Sequence, residues 1–335
     1  MATDPNPGLG RRGMLMGMGA AGLAAPAILS AHAQGNAQGA WPNRPVKLVV
    51  PYAPGGASDT MARPWAEKLT QAFGQPFVID NRGGAAGTIG AEAVVRGQAD
   101  GYTFLFCPNS ILSVVPQLRK VSYDPRKDLT PVGRVGDLHC GFVIRPEVGP
   151  SSIKETVEYA RKNPGKVAYG SSGLGTSAQL RLEMFKLRAG IDILHVPYRG
   201  SADAMNDLLA GNVQMMNEII VLPHVKAGKL KLLCINHALR NPEFPDVPTL
   251  TEAGYPDSDV PIWYAVQAPS AVSKDIIATF NRKIVEIAKT DDMIRRLREV
   301  SVICPTQTPE EILAFTDTDF ASNGKLIREA NVKLE

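Results

Sequence analysis

Four segments of this chain share one construction, in which a short apolar strand runs into a turn rich in glycine, serine or asparagine and a helical pattern follows. The turns occupy residues 52–59, 81–90, 170–177 and 197–201. Strands that alternate with helices form parallel or mixed sheets whose faces the helices cover. The chain is therefore predicted to be an α/β protein with its turns at the carboxyl ends of the strands.

The strands fall into two groups along the chain. The predicted strands are 46–50, 77–79, 102–107, 138–144, 167–169, 193–196, 213–221, 230–235 and 262–267. A stretch rich in proline, glycine and aspartate at 241–261 precedes the last of them. We expect two similar lobes, one of residues 41–137 with 260–335 and the other of residues 138–259, each a mixed sheet flanked by helices. The chain crossings near 138 and 260 would form a hinge.

The helix after the first turn carries two local signals. Ser58 and Asp59 are good N-cap residues, and Pro64 inside the same pattern is expected to bend or interrupt the first turns. Met61, Trp65 and Leu69 recur at helical spacing. This spacing predicts a buried stripe along the helix.

The first 33 residues differ from the rest. Arg11 and Arg12 precede an uncharged stretch, which ends in the small-residue pattern Ala31-His32-Ala33. This order of features is typical of a cleaved signal peptide, and the paired arginines favour twin-arginine export without excluding the general secretory route. We expect a periplasmic protein cleaved near Ala33.

Charge and cysteine content exclude several classes of function. The formal net charge of +3 comes without a block of Lys or Arg, which argues against a nucleic-acid partner. The four cysteines, at 107, 140, 234 and 304, are scattered, and their disulfide state stays open. Cys234 and His237 have a C-x-x-H spacing that no second pair answers, so no metal and no cofactor are expected.

The four turns indicate what the protein binds. Each turn presents backbone N–H groups at a helix N-terminus, which suits an anion, and glycine lets the backbone approach a ligand closely. Ligands of α/β proteins bind at the carboxyl ends of strands. Two turns from each lobe, facing one another, would form a cleft that closes on a small carboxylate.

A secreted hydrolase is the alternative from another class. Ser110, Ser172, His195, His224 and Asp59 could supply a triad, but the chain has no Gly-x-Ser-x-Gly elbow to expose a nucleophile. We therefore expect a binding protein rather than an enzyme. A ligand sensor of the same fold also remains open, because sensing and transport need the same closure.

A series of short motifs, in order from Trp41 to the C-terminus, resembles the Bug/TctC family, the extracytoplasmic receptors of tripartite tricarboxylate transporters. The motifs include Val50-Pro51-Tyr52-Ala53-Pro54-Gly55-Gly56, Asn81-Arg82 with Gly84, Gly87 and Gly90, Asn163-Pro164-Gly165-Lys166, His195-Val196-Pro197-Tyr198 and Pro245-Asp246-Val247-Pro248-Thr249. The resemblance implies a type II-like periplasmic binding protein that closes like a Venus flytrap. It also implies membrane permease subunits of such a transporter as partners, and we expect a monomer.

The resemblance also implies a set of binding residues. In the family, backbone groups and ordered waters of the two first-lobe turns hold one carboxylate, while the second lobe provides selectivity. The expected ligand-binding residues are Tyr52, Ala53, Gly55, Gly56, Ser58, Asp59, Asn81, Gly84, Ala85, Ala86, Gly87, Asn109, Ser110, Ser171, Ser172, Gly175, Thr176, Tyr198, Arg199 and Glu218. Arg199 could pair with a second carboxylate or lie on the solvated surface, and Glu218 could face a ligand amine or cap a turn. Which carboxylate is bound stays open.

Overall fold

The computed structural model describes residues 41–256 and 260–332. The expected signal peptide, with Arg11 and Arg12, lies outside these residues. In chain order the strands are β1 (Val46–Val50), β2 (Phe77–Asn81), β3 (Thr103–Pro108), β4 (Leu129–Leu138), β5 (Val143–Ile144), β6 (Ala168–Ser171), β7 (Leu194–Pro197), β8 (Met215–Met216), β9 (Lys231–Leu232), β10 (Trp263–Pro269) and β11 (Val302–Ile303).

The helices alternate with these strands. They are α1 (Ala57–Phe73), α2 (Thr88–Val95), α3 (Ser110–Ser113), α4 (Val115–Leu118), α5 (Ile153–Lys162), α6 (Ser177–Ala189), α7 (Ser201–Ala210), α8 (Leu222–Lys226), α9 (Lys274–Ala288), α10 (Asp291–Glu299) and α11 (Pro309–Glu329). Short 3₁₀ turns lie at Ala85–Gly87, Pro146–Val148 and Ile219–Val221.

The strands form two mixed sheets. The first has the order β11-β4-β10-β3-β1-β2, with β1 parallel to β2 and β3, and β10 antiparallel to β3 and β4. The second has the order β7-β6-β8-β5-β9, with β6 parallel to β7 and β8. Because β10 returns to the middle of the first sheet after all strands of the second, the second sheet is an insertion in the first. The predicted α/β class with two mixed sheets is confirmed, and below we call the two halves the first-sheet lobe and the second-sheet lobe.

Helix α1 shows how packing overrides local signals. It begins at Ala57 with Gly56 as its N-cap, and it runs without a break through Pro64 to Phe73. Met61, Trp65 and Leu69 are fully buried against the first sheet. Proline inside a helix costs about 3 kcal/mol, whereas each large buried side chain contributes roughly 1.5–3 kcal/mol. Burial of the stripe therefore outweighs the expected interruption, and the predicted caps at Ser58 and Asp59 were wrong.

Several strand predictions were wrong. The strand predicted at 138–144 is not one element, because β4 ends at Leu138 and β5 covers only Val143–Ile144, and the strand predicted at 230–235 shrinks to β9. Strand β4 was not predicted because Gly133 and Gly136 interrupt its alternation. A Cβ at Gly133 would lie 2.5 Å from a methyl group of Ile284, and one at Gly136 would lie 2.5 Å from a methyl group of Val302. The strand predicted at 213–221 shrinks to β8, because a 3₁₀ turn at Ile219–Val221 and then α8 follow it.

Candidate ligand-binding site

The four predicted turns converge on one cavity of about 690 Å³, which we call the outer cavity. They follow β1, β2, β6 and β7, so each lies at the carboxyl end of a strand. The lining residues are Tyr52, Ala53, Pro54, Asn81, Gly83, Gly84, Ala85, Ala86, Gly87, Arg119, Ser172, Gly173, Leu174, Pro197, Tyr198 and Arg199. Both lobes therefore contribute to its wall.

A second, much smaller cavity of about 20 Å³ lies behind the first, and we call it the inner cavity. It is lined by Tyr52, Ala57, Ser58, Pro108, Ser110, Ser172, Thr176, Ser177, Ala178, Ser201, Glu218, Ile262 and Tyr264. Tyr52 and Ser172 line both cavities. A space of this size holds about one water molecule. The first turns of α1, α6 and α7 all reach it, and helix N-termini favour negative charge.

The turn after β1 is fixed from both lobes. The Gly55 N–H donates to Asp59 Oδ2 at 2.9 Å, and Asp59 also accepts from Arg63. The Ala57 N–H donates to the hydroxyl of Ser201 across the lobes at 2.8 Å. A Cβ at Gly56 would come within 3.0 Å of that hydroxyl. Glycine at position 56 therefore lets the two lobes meet.

The turn after β2 has an unusual backbone. Gly84, Ala85, Ala86 and Gly87 all have positive φ angles, of 125°, 49°, 57° and 90°. The left-handed conformation costs an alanine roughly 1–2 kcal/mol. The Tyr52 hydroxyl donates to the Ala86 carbonyl at 3.2 Å and so helps to hold this shape. Successive N–H groups in such conformations form concavities that bind anions.

The second-sheet turns are held by internal hydrogen bonds. The Ser171 hydroxyl lies 2.6 Å from His195 Nε2 and also donates to the Gly173 carbonyl. Thr176 caps α6, and the Gly175 N–H donates to the side chain of Gln179. Between these bonded residues lies Ser172, which lines both cavities.

Tyr198 and Arg199 follow β7 in the outer cavity wall. The Tyr198 hydroxyl donates to Asp207 Oδ2 at 2.6 Å, and burial together with this acceptor raises the Tyr198 pKa to about 12. Arg199 is exposed on the second-sheet side, and Arg119 is exposed on the first-sheet side of the same cavity. The cavity mouth thus has a cation from each lobe.

Glu218 is the carboxyl group of the inner cavity and is only 4% exposed. It precedes the 3₁₀ turn Ile219–Val221, but its side chain makes no capping bond there. Instead, it accepts a hydrogen bond from Ser172 at 2.9 Å. Burial raises its pKa to about 7, against the lowering effects of Ser172 and Arg181.

Most of the predicted site residues line the two cavities. Those that do are Tyr52, Ala53, Ser58, Asn81, Gly84, Ala85, Ala86, Gly87, Ser110, Ser172, Thr176, Tyr198, Arg199 and Glu218. Gly55, Gly56, Asp59, Asn109, Ser171 and Gly175 are not among the lining residues, and several of them hold the walls instead. Asn109, for example, is fully buried, donates to Asp319 and accepts from the Ser177 hydroxyl of the other lobe.

Sequence reasoning did not single out several lining residues. Ser177 and Ser201 end the predicted turns, so their position as first helical residues was the available signal. Arg119 lies far from the turns in sequence and no pattern marks it, and Tyr264 lies inside the strand predicted at 262–267 but was not assigned to the site.

The candidate hydrolase residues are engaged elsewhere. Ser172 bonds to Glu218, whereas His195 bonds to the buried Ser171 and stacks on the Tyr169 ring at 4.6 Å. Burial lowers the His195 pKa to about 4, and Lys186 adds to this effect. Asp59 is held by Gly55 and Arg63. These residues do not form a relay with one another.

Neither a membrane span nor a metal centre is found in the part of the chain that the structure describes. Within residues 41–256 and 260–332, no helix combines the length and the apolarity needed to cross a bilayer. In the same residues, no group of three His, Cys, Asp or Glu side chains could hold a metal ion.

The fold and the convergent turns define a two-lobed solute-binding protein. The chain belongs to the family described as "Tripartite tricarboxylate transporter family receptor", whose model matches residues 61–332. This finding confirms the resemblance seen in the sequence. Family membership implies an extracytoplasmic location, and the relatives are receptors rather than enzymes.

Individual relatives agree with this assignment. Protein BugT of Bordetella pertussis is 35% identical over 322 residues, which are 94% of this chain and 95% of the relative. The structure "R. palustris Rpa4515 with adipate" is 33% identical, with a TM-score of 0.85 over 88% of this chain and 99% of the other. MatC from Rhodopseudomonas palustris with bound malate is 27% identical, with a TM-score of 0.81 over 86% and 100%.

Proposed function

We propose that this protein captures a small organic acid between its two lobes and delivers it to the permease of a tripartite tricarboxylate-type transporter. The observation that carries the proposal is the convergence of four glycine-bearing turns, two from each lobe, on the outer cavity. Structural neighbours that hold adipate and malate support the carboxylate class.

The electrostatics of the outer cavity suit an anion. Arg119 and Arg199 lie on opposite sides of it, whereas the N-termini of α1, α6 and α7 reach the inner cavity, where the Glu218 carboxyl lies. Cations at the mouth of a cleft attract anions and speed their association. A carboxylate that enters between the arginines then meets backbone N–H groups that carry partial positive charge.

We assign the grip on the carboxylate to the turns at 52–59 and 81–90, and selectivity to the second-sheet lobe. The left-handed backbone at Ala85 and Ala86 supports the first assignment, because local strain of this kind is typical of ligand sites. Ser172, Tyr198 and Arg199 are the polar second-sheet side chains in the wall of the outer cavity.

Closure requires a hinge, which we place at the crossings near residues 138 and 260, between lobes of residues 41–137 with 260–335 and residues 138–259. Leu138 ends β4 of the first sheet, and β5 of the second begins at Val143. Contacts of Ala57 with Ser201 and of Asn109 with Ser177 join the lobes on the ligand side. We further propose export to the periplasm with cleavage near Ala33, and action as a monomer.

A thermal-shift screen tests the function. The mature chain is heated with adipate, malate, citrate and aspartate, and separately with glucose, maltose and divalent metal ions. A ligand at 100 times its Kd adds about 2.7 kcal/mol to the free energy of unfolding, so an acid that binds raises the melting temperature by several degrees. Stabilisation by a sugar or a metal, with no effect of any acid, would refute the proposal.

A further inference from the structure

The proposed carboxylate-binding site contains a buried carboxyl group, that of Glu218. Glu218 lies in the wall of the inner cavity, next to the first turns of α1, α6 and α7. Its carboxylate accepts a hydrogen bond from Ser172, which lines both cavities. The Glu218 side chain makes no cap bond to the 3₁₀ turn that follows it, so a purely local structural role does not account for it.

Within residues 41–256 and 260–332, no cation forms a direct ion pair with Glu218. The charged and titratable groups that act on it are Arg181 of α6, Tyr52 of the first turn, Tyr264 of β10 and Cys140 before β5. Arg181 donates hydrogen bonds to the Val260 carbonyl, Asn217 and Cys140. An ionised carboxylate buried in this way is costly unless a cation joins it.

The sizes of the two cavities show where such a cation fits. The inner cavity holds one water-sized group, and a protonated amino group is of that size. The outer cavity, at about 690 Å³, holds the carbon skeleton and the carboxylate. The site therefore has an anion-binding part at the turns and a cation-binding part at Glu218.

We propose that the captured acid carries a protonated amino group, which pairs with Glu218 in the inner cavity while its carboxylate binds at the turns of residues 52–59 and 81–90. This inference rests on the proposed function and narrows its ligand class to amino-bearing organic acids. Glu218 is then the specificity-determining residue.

Matched pairs of acids test it by isothermal titration. The pairs differ by one amino group: succinate and aspartate, adipate and 2-aminoadipate, butyrate and 4-aminobutyrate, propionate and β-alanine. In at least one pair the amino acid binds about tenfold tighter or more, as expected for a charge-assisted hydrogen bond in a buried site. In Glu218→Gln that ratio falls to about threefold or less, whereas Glu183→Gln, a carboxyl bonded to Tyr169, keeps the wild-type ratio.

The pH dependence gives a second readout. Ionised Glu218 binds an ammonium group and protonated Glu218 does not, so affinity for the amino acid falls as pH drops from 8 to 6. In Glu218→Gln this fall is absent. Urea denaturation of each variant shows whether it is folded.

The outcomes separate this inference from the proposed function. If acids bind but no amino derivative binds tighter than its partner, Glu218 has been misassigned and carboxylate capture stands. The same holds if a dicarboxylate binds tighter as pH falls, because protonated Glu218 would then donate to a second carboxylate. If no acid of either kind binds and a sugar does, both proposals fail.

Discussion

The backbone N–H of Ala57 donates to the hydroxyl of Ser201 at 2.8 Å and joins the N-termini of α1 and α7 across the two lobes. Gly56, the N-cap of α1, has no side chain to cap the helix. A residue of the second-sheet lobe thus satisfies a backbone group of the first-sheet lobe. Formation of this helix end is thereby coupled to contact between the lobes.

Ser201→Ala is expected to weaken ligand binding. The substitution leaves the buried Ala57 N–H without this acceptor, and an unsatisfied buried donor costs about 1–3 kcal/mol. Opening of the lobes relieves that cost, so affinity for the acid found in the thermal-shift screen should fall by about fivefold or more, measured by titration calorimetry. The matched control is Ser152→Ala, which removes the cap of α5 and should lower stability without changing affinity. Equal affinities of Ser201→Ala and the wild type would contradict the prediction.

Gly87→Ala is expected to distort the anion-binding turn. Its φ of 90° is unfavourable for alanine, and the added Cβ would lie 2.5 Å from a methyl group of Ile111. Gly74→Ala at the end of α1 is a matched control, since its φ is also positive but no atom lies within 4 Å of the new Cβ. The control should lose about 1–2 kcal/mol of unfolding free energy, and Gly87→Ala should lose more, in urea denaturation. Equal losses would show that the neighbouring packing yields.

Features of this site that depend on neighbouring residues could be predicted from the sequence, whereas contacts between residues far apart in the chain could not. The turn after β1 was predictable because an apolar run ends at Pro51 and two glycines follow within a few residues. The contact of Ala57 with Ser201 spans 144 positions, and no local pattern encodes it. Arg119 in the wall of the outer cavity was not predicted from the sequence for the same reason.

The same distinction applies to the fold. Strand β1 was found because four of its five residues are apolar, whereas β4 was missed because Gly133 and Gly136 break its pattern. Those glycines are explained only when α9 and β11 pack on the strand, since their missing side chains make room for Ile284 and Val302. Contacts between residues so far apart in sequence cannot be predicted from local sequence patterns.

His237 is expected to make the protein less stable in acid. Its ring lies 4.3 Å from that of His139, and burial, with the neighbouring His139 adding to it, lowers the His237 pKa to about 4. Unfolded histidine has a pKa of about 6.5, so between these values the unfolded state binds more protons. The stabilisation is complete above about pH 6.5 and is lost as pH falls towards 4.

The measurement compares urea denaturation at pH 7, 5 and 4 for the wild type and His237→Gln. The variant should lose less stability over this range, because it lacks one of the groups that must take up a proton on unfolding. The raised pKa values of Asp137 and Glu218 act in the opposite sense, but they are common to both proteins and cancel in the comparison. A His237→Gln slope as steep as the wild type's would disprove the argument.

Arg181→Lys is expected to lower the free energy of unfolding substantially. Its side chain is fully buried on α6, and it donates to the Val260 carbonyl at 2.5 Å and to Asn217 Oδ1 at 3.3 Å. Val260 lies where the chain returns to the first sheet, so one guanidinium joins that crossing to the second-sheet lobe.

A lysine ammonium cannot reproduce the planar fork of donors that makes these contacts. Removal of one partner from a buried charged network costs about 3–5 kcal/mol, and Arg181→Lys should lose a comparable free energy of unfolding in urea. Arg188→Lys on the same helix is the control, because its pair with Glu329 at 3.0 Å is partly exposed and contributes about 1 kcal/mol or less. Losses of the same size in the two variants would mean that the buried guanidinium does not hold the crossing, and that closure depends on the contacts at the ligand side alone.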